Sequence, residues 1–332
     1  MIATKKKKVI TNGDTTFYQF DSKLGFWGVP HLEREVCFQQ RPELPVLVKH
    51  NSEGNRDSEV VVSSNEKSII CFGGSHTWGA GTEQELRYTN FLAQYTGEKV
   101  INMGHCSLGL DQVCLAILQR SAKYNPKIIV IEQYPWAVHR VLNNYVNGYV
   151  RPHFSMDSAG NLKLNKISSL TGIGFFRKII GSYYAFRKEF NEYKSGIDLK
   201  NNYDPLADPI FLLWKTRHYD YMYSLLDKIL TVIKDHCRKN NIKLLFGLGA
   251  IHQQFGPASK SELVDYELPR ERFIELLLKN KIAFVDTTET MLKEHSTIDP
   301  VIFDDGHINA KGHKVFADVI HNELLKLNWI TK

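Results

Sequence analysis

The stretch SIICFGGSHTWGAG, Ser68 to Gly81, carries an apolar run straight into a glycine-rich turn. Ile69, Ile70, Cys71 and Phe72 form the unbroken apolar sequence expected of a strand buried on both faces, as in a parallel sheet. Gly73 and Gly74 end the run, and Ser75 follows at once. A pair of glycines lets the backbone pass close to its neighbours and set one side chain at the strand's end. What that serine does depends on what else lies at the same end.

Downstream, apolar strands alternate with amphipathic helices. Strand-type runs occur in KVINMG (99–104), KIIVIEQY (127–134), IKLLFGLGA (242–250) and IAFVDTTE (282–289). Helical periods separate them. RYTNFLAQYTG (87–97) ends at Gly97, and LDQVCLAILQRSAKYN (110–125) sets Leu110, Val113, Ile117 and Leu118 on one side, with Pro126 as its stop. In YDYMYSLLDKILTVIKDHCRKNN (219–241) the stripe is Met222, Leu225, Leu226, Ile229, Leu230 and Ile233. ERFIELLLKN (271–280) follows, and a last helix from near Ala310 carries Val315, Phe316, Val319, Ile320 and Leu324. This alternation specifies an α/β domain over residues 67–330, a three-layer α/β/α fold around a five-stranded parallel sheet of flavodoxin-like type. Ligands of such sheets bind beyond the carboxyl ends of the strands. Ser75, Gly104, Gln133 and DDGH (304–307) each follow a strand and so fall on one rim.

Two regions depart from this rhythm. Residues 1–66 read as an N-terminal extension packed on the main domain, irregular, with β-type pieces such as TTFYQF (15–20) and LPVLVKHN (44–51). An insert spans about 138–215. In it, YVRPHFSMDSAGNLKLNKI (149–167) reads as a hairpin turning at SAGN, and GSYYAFRKEFNEYKSG (181–196) as a short helix. Residues 163–200 hold eight Lys/Arg against three Asp/Glu, with Tyr183, Tyr184, Phe186, Phe190 and Tyr193 at near-helical spacing. Such a stripe packs a helix against its domain, or offers aromatic platforms with basic neighbours that suit glycans.

Composition excludes several classes. Of 332 residues, 43% are hydrophobic and 23% charged, ordinary for a globular protein. The net charge of +6 is mild, and its one dense run, Lys5 to Lys8, reads as a solvated tail, so no nucleic-acid partner is expected. No apolar run approaches the ~18 residues of a membrane span. No apolar signal core follows the N-terminal lysines, and the expected location is cytoplasmic. Cys37, Cys71, Cys106, Cys114 and Cys237 are odd in number and lack CxxC pairing, which suits free buried thiols. Neither zinc-ligand spacing, a P-loop lysine nor G-x-G-x-x-G occurs, so neither metal nor cofactor is expected.

A serine hydroxyl is a poor nucleophile until a base takes its proton and a third group orients that base. FDDGHINAKGH (303–313) sets Asp304 and His307 three residues apart. On a tight turn this spacing points a carboxylate at one imidazole nitrogen and leaves the other facing outward. Ser75 is then the nucleophile, His307 the base and Asp304 its orienter. A helix starting at Ser75 adds backbone N–H groups and a positive end for an oxyanion.

These blocks resemble those of the SGNH (GDSL-like) hydrolase superfamily. FGGSHTWGAG (72–81) stands where that family has a Gly-Asp-Ser turn, with Gly74 in place of the aspartate. INMGHCSLGLDQ (101–112) resembles the second block and DDGHINAKGH (304–313) the last. FDSKLGFWGVPHLE (20–33) and HNSEGNRD (50–57) resemble the lead-in of relatives associated with bacterial surface polysaccharides. The likeness covers the chain from about residue 20 and is least in the insert. It implies the N–H groups of Ser75 and Gly104 as oxyanion donors. The family's third block ends in Gly-x-Asn-Asp, whose asparagine completes the oxyanion hole, and here Trp136 stands at about that place. Gln133, or Asn143 or Asn144 from the next turn, can supply an amide instead; otherwise two backbone donors remain. Losing one donor costs ~2.7–4 kcal/mol of transition-state stabilisation.

His76, Trp136 and Arg140 are candidate substrate contacts, Arg140 for an anionic group. Trp78 and His313 read as packing residues. The expected activity is that of a serine-dependent esterase or O-acyltransferase moving a small acyl group, such as acetyl, on a carbohydrate. Two alternatives stay open: a catalytically weak glycan- or lipid-binding protein on the same scaffold, and a lipid esterase. The expected partner is a small-molecule or glycan ester, and the sequence leaves the oligomeric state unspecified.

Overall fold

The computed structural model describes residues 9–10, 15–39, 41–63, 65–146, 148–168, 179, 217–250, 266–295, 301–303 and 306–331. Strands β1 (Ser68–Gly73), β2 (Lys99–Gly104), β3 (Pro126–Gln133), β4 (Lys243–Leu248) and β5 (Ala283–Asp286) form one sheet in the order β5-β4-β3-β1-β2. Every neighbouring pair in it is parallel. This is the flavodoxin-like order, in which β1 and β3 meet at the point where the winding reverses. All of β1 is buried, as its unbroken apolar run requires.

The helices are α1 (Ser75–Trp78), α2 (Tyr88–Thr96), α3 (Leu110–Arg120), α4 (Arg217–Lys239), α5 (Leu268–Lys279), α6 (Thr288–His295) and α7 (Ala310–Lys326). Helix α2 packs with α7, and α4 packs with both α3 and α5. The α4 stripe Met222, Leu225, Leu226, Ile229, Leu230 and Ile233 is buried throughout, each side chain worth roughly 1.5–3 kcal/mol of transfer free energy. Helix α3 ends five residues earlier than its period suggested, because Ser121 to Tyr124 tighten into a 3-10 turn and Asn125 turns left-handed at φ 44°. Pro126 then opens β3, a strand position that does not need its missing N–H. Leu118 is 40% exposed, since the buried stripe of α3 runs 110, 113, 114, 117.

In the N-terminal segment Tyr18–Asp21 pairs with Gly25–Gly28, and Glu33–Phe38 with Pro45–Lys49, both antiparallel. The hairpin His153–Met156 with Leu162–Asn165 turns at 157–160, where Asp157 Oδ1 accepts the N–H groups of Ala159 and Asn161 and Gly160 adopts φ 77°. The helix expected over 181–196, with its aromatic stripe, lies outside the described residues. Trp78 is fully buried, its ring 5.2 Å from Phe17 and 5.9 Å from Phe38, so α1 is clamped between the sheet and the N-terminal segment. All five cysteines are buried and unpaired. Among the described residues no helix is long and apolar enough to cross a membrane.

Candidate active site

The turn out of β1 requires glycine at 73. A Cβ there would lie 2.2 Å from Thr77 Oγ1 and 2.3 Å from Glu132 Oε2. Those two atoms are held together by a 2.8 Å hydrogen bond from the Thr77 hydroxyl. Glu132 Oε2 also accepts the N–H groups of Gly74 (2.9 Å) and Thr77 (3.2 Å). Burial pushes the Glu132 carboxyl above its ordinary value, while these donors pull it back. Gly79 closes α1 at φ 87°, its N–H donating to Ser75 O at 2.9 Å. Arg56, buried in the lead-in segment, donates to the carbonyls of Trp78, Gly79 and Thr82 and so holds the other end of the turn.

Ser75 is 6% exposed, and its Oγ lies 2.8 Å from His307 Nε2. The two residues are 232 positions apart, and the sheet rim brings them together. His307 rides on a narrow loop before α7. Phe303 N–H donates to His307 O at 2.7 Å, Ile302 bridges Ile308, and Gly306 turns at φ 85°. Asn309 caps α7 by accepting from the Gly312 N–H at 3.0 Å. Asp304 lies outside the described residues, so its place beside His307 stays a proposal.

The expected oxyanion donors need one correction. Gly104 N–H donates to Asn102 Oδ1 at 2.9 Å and is committed there. A Cβ at 104 would lie 2.5 Å from Trp78 N, so this glycine is needed to seat α1 against β2. Gly109 lines the cavity beside Ser75 instead. It is buried at the N-cap of α3, and its N–H has no acceptor among the described residues. The sequence signal for it was a glycine directly ahead of a helical period. Because Glu132 takes the N–H groups of Gly74 and Thr77, those of Ser75 and His76 also stay without an acceptor among the described residues.

Gln133 lines the cavity, but its amide donates to the carbonyl of its neighbour Tyr134 at 2.9 Å. Trp136 lies in the 3-10 segment Pro135–Leu142. Asn143 and Asn144 are not among the cavity residues; their carbonyls accept from Arg151. Arg140 does line the cavity. Its Nη1 donates to Leu108 O at 3.2 Å and stands 3.4 Å from where a Cβ on Gly74 would be. Fully buried Arg151 ties its backbone down, donating to Arg140 O while pairing with Asp111 at 3.2 Å.

His76 is 5% exposed, its ring stacked on Tyr134 at 3.6 Å and 11° and facing His307 at 4.8 Å and 23°. Burial, then the nearby His307, His313 and Arg140, hold His76 well below the usual imidazole range, so it is neutral. His313 is buried and accepts the Tyr88 N–H at 3.2 Å, the packing role expected of it. The cavity bounded by Ser75, Gly109, Gln133, Tyr134 and Arg140 measures about 10 Å³, the room one water needs. The described residues thus bring a serine, an imidazole, free backbone N–H groups and a guanidinium around a space that fits one small group.

No family model matches the sequence, and no curated protein does. Solved structures similar to this chain include a two-domain esterase active on acetylated mannans (14% identity, TM-score 0.43, 80% of this chain). This chain spans half the length of that protein. An acetyl xylan esterase is 13% identical over 77% of this chain and 99% of its own, with TM-score 0.43. A member of the lipolytic G-D-S-L family from Veillonella parvula is 13% identical over 79% of this chain and 97% of its own, with TM-score 0.41. The chemistry of the site rests on its own geometry.

Proposed function

We propose that this protein is a serine-dependent esterase or acyltransferase that removes or transfers a small acyl group, such as acetyl, on a carbohydrate. The observation that carries this reading is the 2.8 Å contact between Ser75 Oγ and His307 Nε2 at the carboxyl rim of the sheet. Ser75 attacks the acyl carbonyl as His307 Nε2 takes its proton, and the same nitrogen returns a proton to the departing alcohol. Asp304 holds the imidazole by its other nitrogen. The N–H groups of Ser75 and Gly109 receive the oxyanion, and the Arg140 guanidinium supplies the third donor where the resembled family has asparagine. Water or a sugar hydroxyl then attacks the acyl-enzyme, giving hydrolysis or transfer.

The small cavity beside Ser75 is what favours a short acyl group in this reading. The test is fluorophosphonate labelling of the purified protein, with p-nitrophenyl esters of rising chain length as substrates. Ser75 should take the label, the acetyl ester should turn over fastest, and Ser75→Ala should abolish both. An unlabelled Ser75 would favour a binding protein on this scaffold, and rates climbing with chain length would favour a lipid esterase.

A further inference from the structure

We propose that a second cavity, at the amino ends of β4 and β5, binds a phosphate ester that carries a ring, such as a sugar phosphate or a nucleoside phosphate. It measures about 330 Å³, within the range of small-molecule sites. Lys243 opens β4 and Ala283 opens β5, and both line it, so it lies at the opposite end of the sheet from Ser75. Its occupancy is independent of how Ser75 and His307 are read. Three turns of one form shape it. After α4, α5 and α7 the chain turns left-handed at Asn241 (φ 54°), Lys281 (φ 53°) and Asn328 (φ 54°). The next N–H donates back into the helix each time: Ile242 to Cys237 O at 2.8 Å, Ile282 to Leu277 O at 3.0 Å and Trp329 to Leu324 O at 3.0 Å. These six-to-one closures of the Schellman type fix three lining residues to three helix ends. Buried Ile242 and Ile282 give the cavity an apolar lining, and half-buried Trp329 adds an aromatic ring.

Charge decides what the cavity takes. Lys234, Arg238, Lys243 and Lys281 line it, and among the described residues no carboxylate does. Helix ends attract cations on their own account, since each C-terminus bears about half a negative charge. Arg238 also pairs with Asp235 at 3.2 Å, and Lys234 donates to Asn280 O at 3.2 Å. Lys243 and Lys281 are exposed and have no carboxylate partner among the described residues. Set against three helix ends and Asp235, the four cations leave a surplus of about one to two positive charges. A phosphate monoester carries about −1.5 to −2 at neutral pH, which matches that surplus. Lysines meet phosphate as point charges, whereas a carboxylate is better held by an arginine fork, and the one arginine here is already paired. Lys243 Nζ lies 5.9 Å from the Trp329 ring centroid, so charge and ring stand side by side for one ligand.

Isothermal titration calorimetry of the full chain tests the site with glucose 1-phosphate, adenosine monophosphate, inorganic phosphate and glucuronate. One of the two esters should bind about tenfold more tightly than inorganic phosphate, the contribution of a ring against Trp329. Whichever ester binds more tightly identifies the ring as sugar or base. The double variant Lys243→Gln, Lys281→Gln should weaken that ester about tenfold. Trp329→Ala should bring it to the level of inorganic phosphate. Arg140→Ala, in the cavity beside Ser75, should leave ester binding unchanged. Circular dichroism establishes that each variant folds, and if Trp329→Ala does not, the exposed lysines decide. No binding of either ester, or a wild-type Kd in the lysine variant, overturns the site. A loss in Arg140→Ala does the same, because it puts the ester beside Ser75. Inorganic phosphate binding as tightly as both esters overturns the ring, and glucuronate binding more tightly than glucose 1-phosphate overturns the choice of phosphate.

Discussion

Gly73 and Gly74 stand side by side, yet the structure asks different things of them. An alanine methyl at 73 would sit 2.2 Å from Thr77 Oγ1 and 2.3 Å from Glu132 Oε2, more than 1 Å inside ordinary contact. Neither atom can retreat cheaply, since Thr77 is fully buried, Glu132 is 5% exposed, and they bond each other at 2.8 Å. Moving either disturbs that bond and the two N–H bonds that Glu132 accepts from the turn. Overpacking at about 1–3 kcal/mol and partial loss of three bonds at about 1 kcal/mol each put Gly73→Ala near 3–5 kcal/mol destabilised. At Gly74 the added methyl meets only Arg140 Nη1, at 3.4 Å, and φ is −89°. Gly74→Ala should therefore cost clearly less than Gly73→Ala, because its methyl meets no tightly bonded pair. Urea denaturation followed by circular dichroism measures both. Losses of equal size, or a Gly73→Ala variant as stable as wild type, would refute the steric account of this turn.

Arg140→Ala should lower kcat/KM for an acetyl ester by about 10²–10³, the usual effect of removing an oxyanion donor, with Arg140→Lys recovering part; unchanged kcat/KM in Arg140→Ala removes the guanidinium from the proposed mechanism. Burial raises the Glu132 carboxyl above its ordinary value of 4.5, so the folded protein binds that proton more tightly than the unfolded chain. Relative to Glu132→Gln, wild-type stability should rise as pH falls through the raised folded value toward 4.5, and that gain should be absent at higher pH. Denaturation curves at several pH values follow it, and a difference that grows with rising pH contradicts the direction.

Much of the fold was legible because the sheet's interior leaves no choice. SIICF and KIIVI admit no polar face, so they must lie in a parallel sheet with helices on both sides. Ser75 was legible as a short motif at a strand end, whereas His307 comes after β5 and α6, just ahead of α7, and not directly after a strand as the sequence suggested. The sequence pointed to Gly104, the last residue of β2, and could not show that its N–H is already taken. That depends on Asn102 folding its side chain back onto the N–H of Gly104, a contact the backbone path alone decides. The contacts of Glu132 with Gly74 and of His76 with Tyr134 join segments separated by about 58 positions. Nothing local in either segment announces them. Arg140 was visible as a cation near the rim, but its orientation comes from Arg151, 11 residues on, holding its carbonyl.

Glu132 also supplies an acid to the turn that carries Ser75. In the resembled family an aspartate precedes the serine, and at a helix N-cap a side-chain oxygen ordinarily accepts the N–H of the third helical residue. Here the N-cap is Gly74, which has no side chain, and the third helical residue is Thr77. Glu132 Oε2 reaches across from β3 to accept the Thr77 N–H and the N–H of Gly74 itself. The cap is therefore supplied in trans, by the strand that meets β1 at the winding reversal. Two consequences follow from one carboxylate. The turn is tied to β3, whose end carries Gln133 and then Tyr134 into the cavity wall beside Ser75. The N–H groups left without an acceptor among the described residues are those of Ser75 and His76, at the helix start. Gly74 leaves room for that carboxylate and lets one residue of β3 take both N–H groups of the turn.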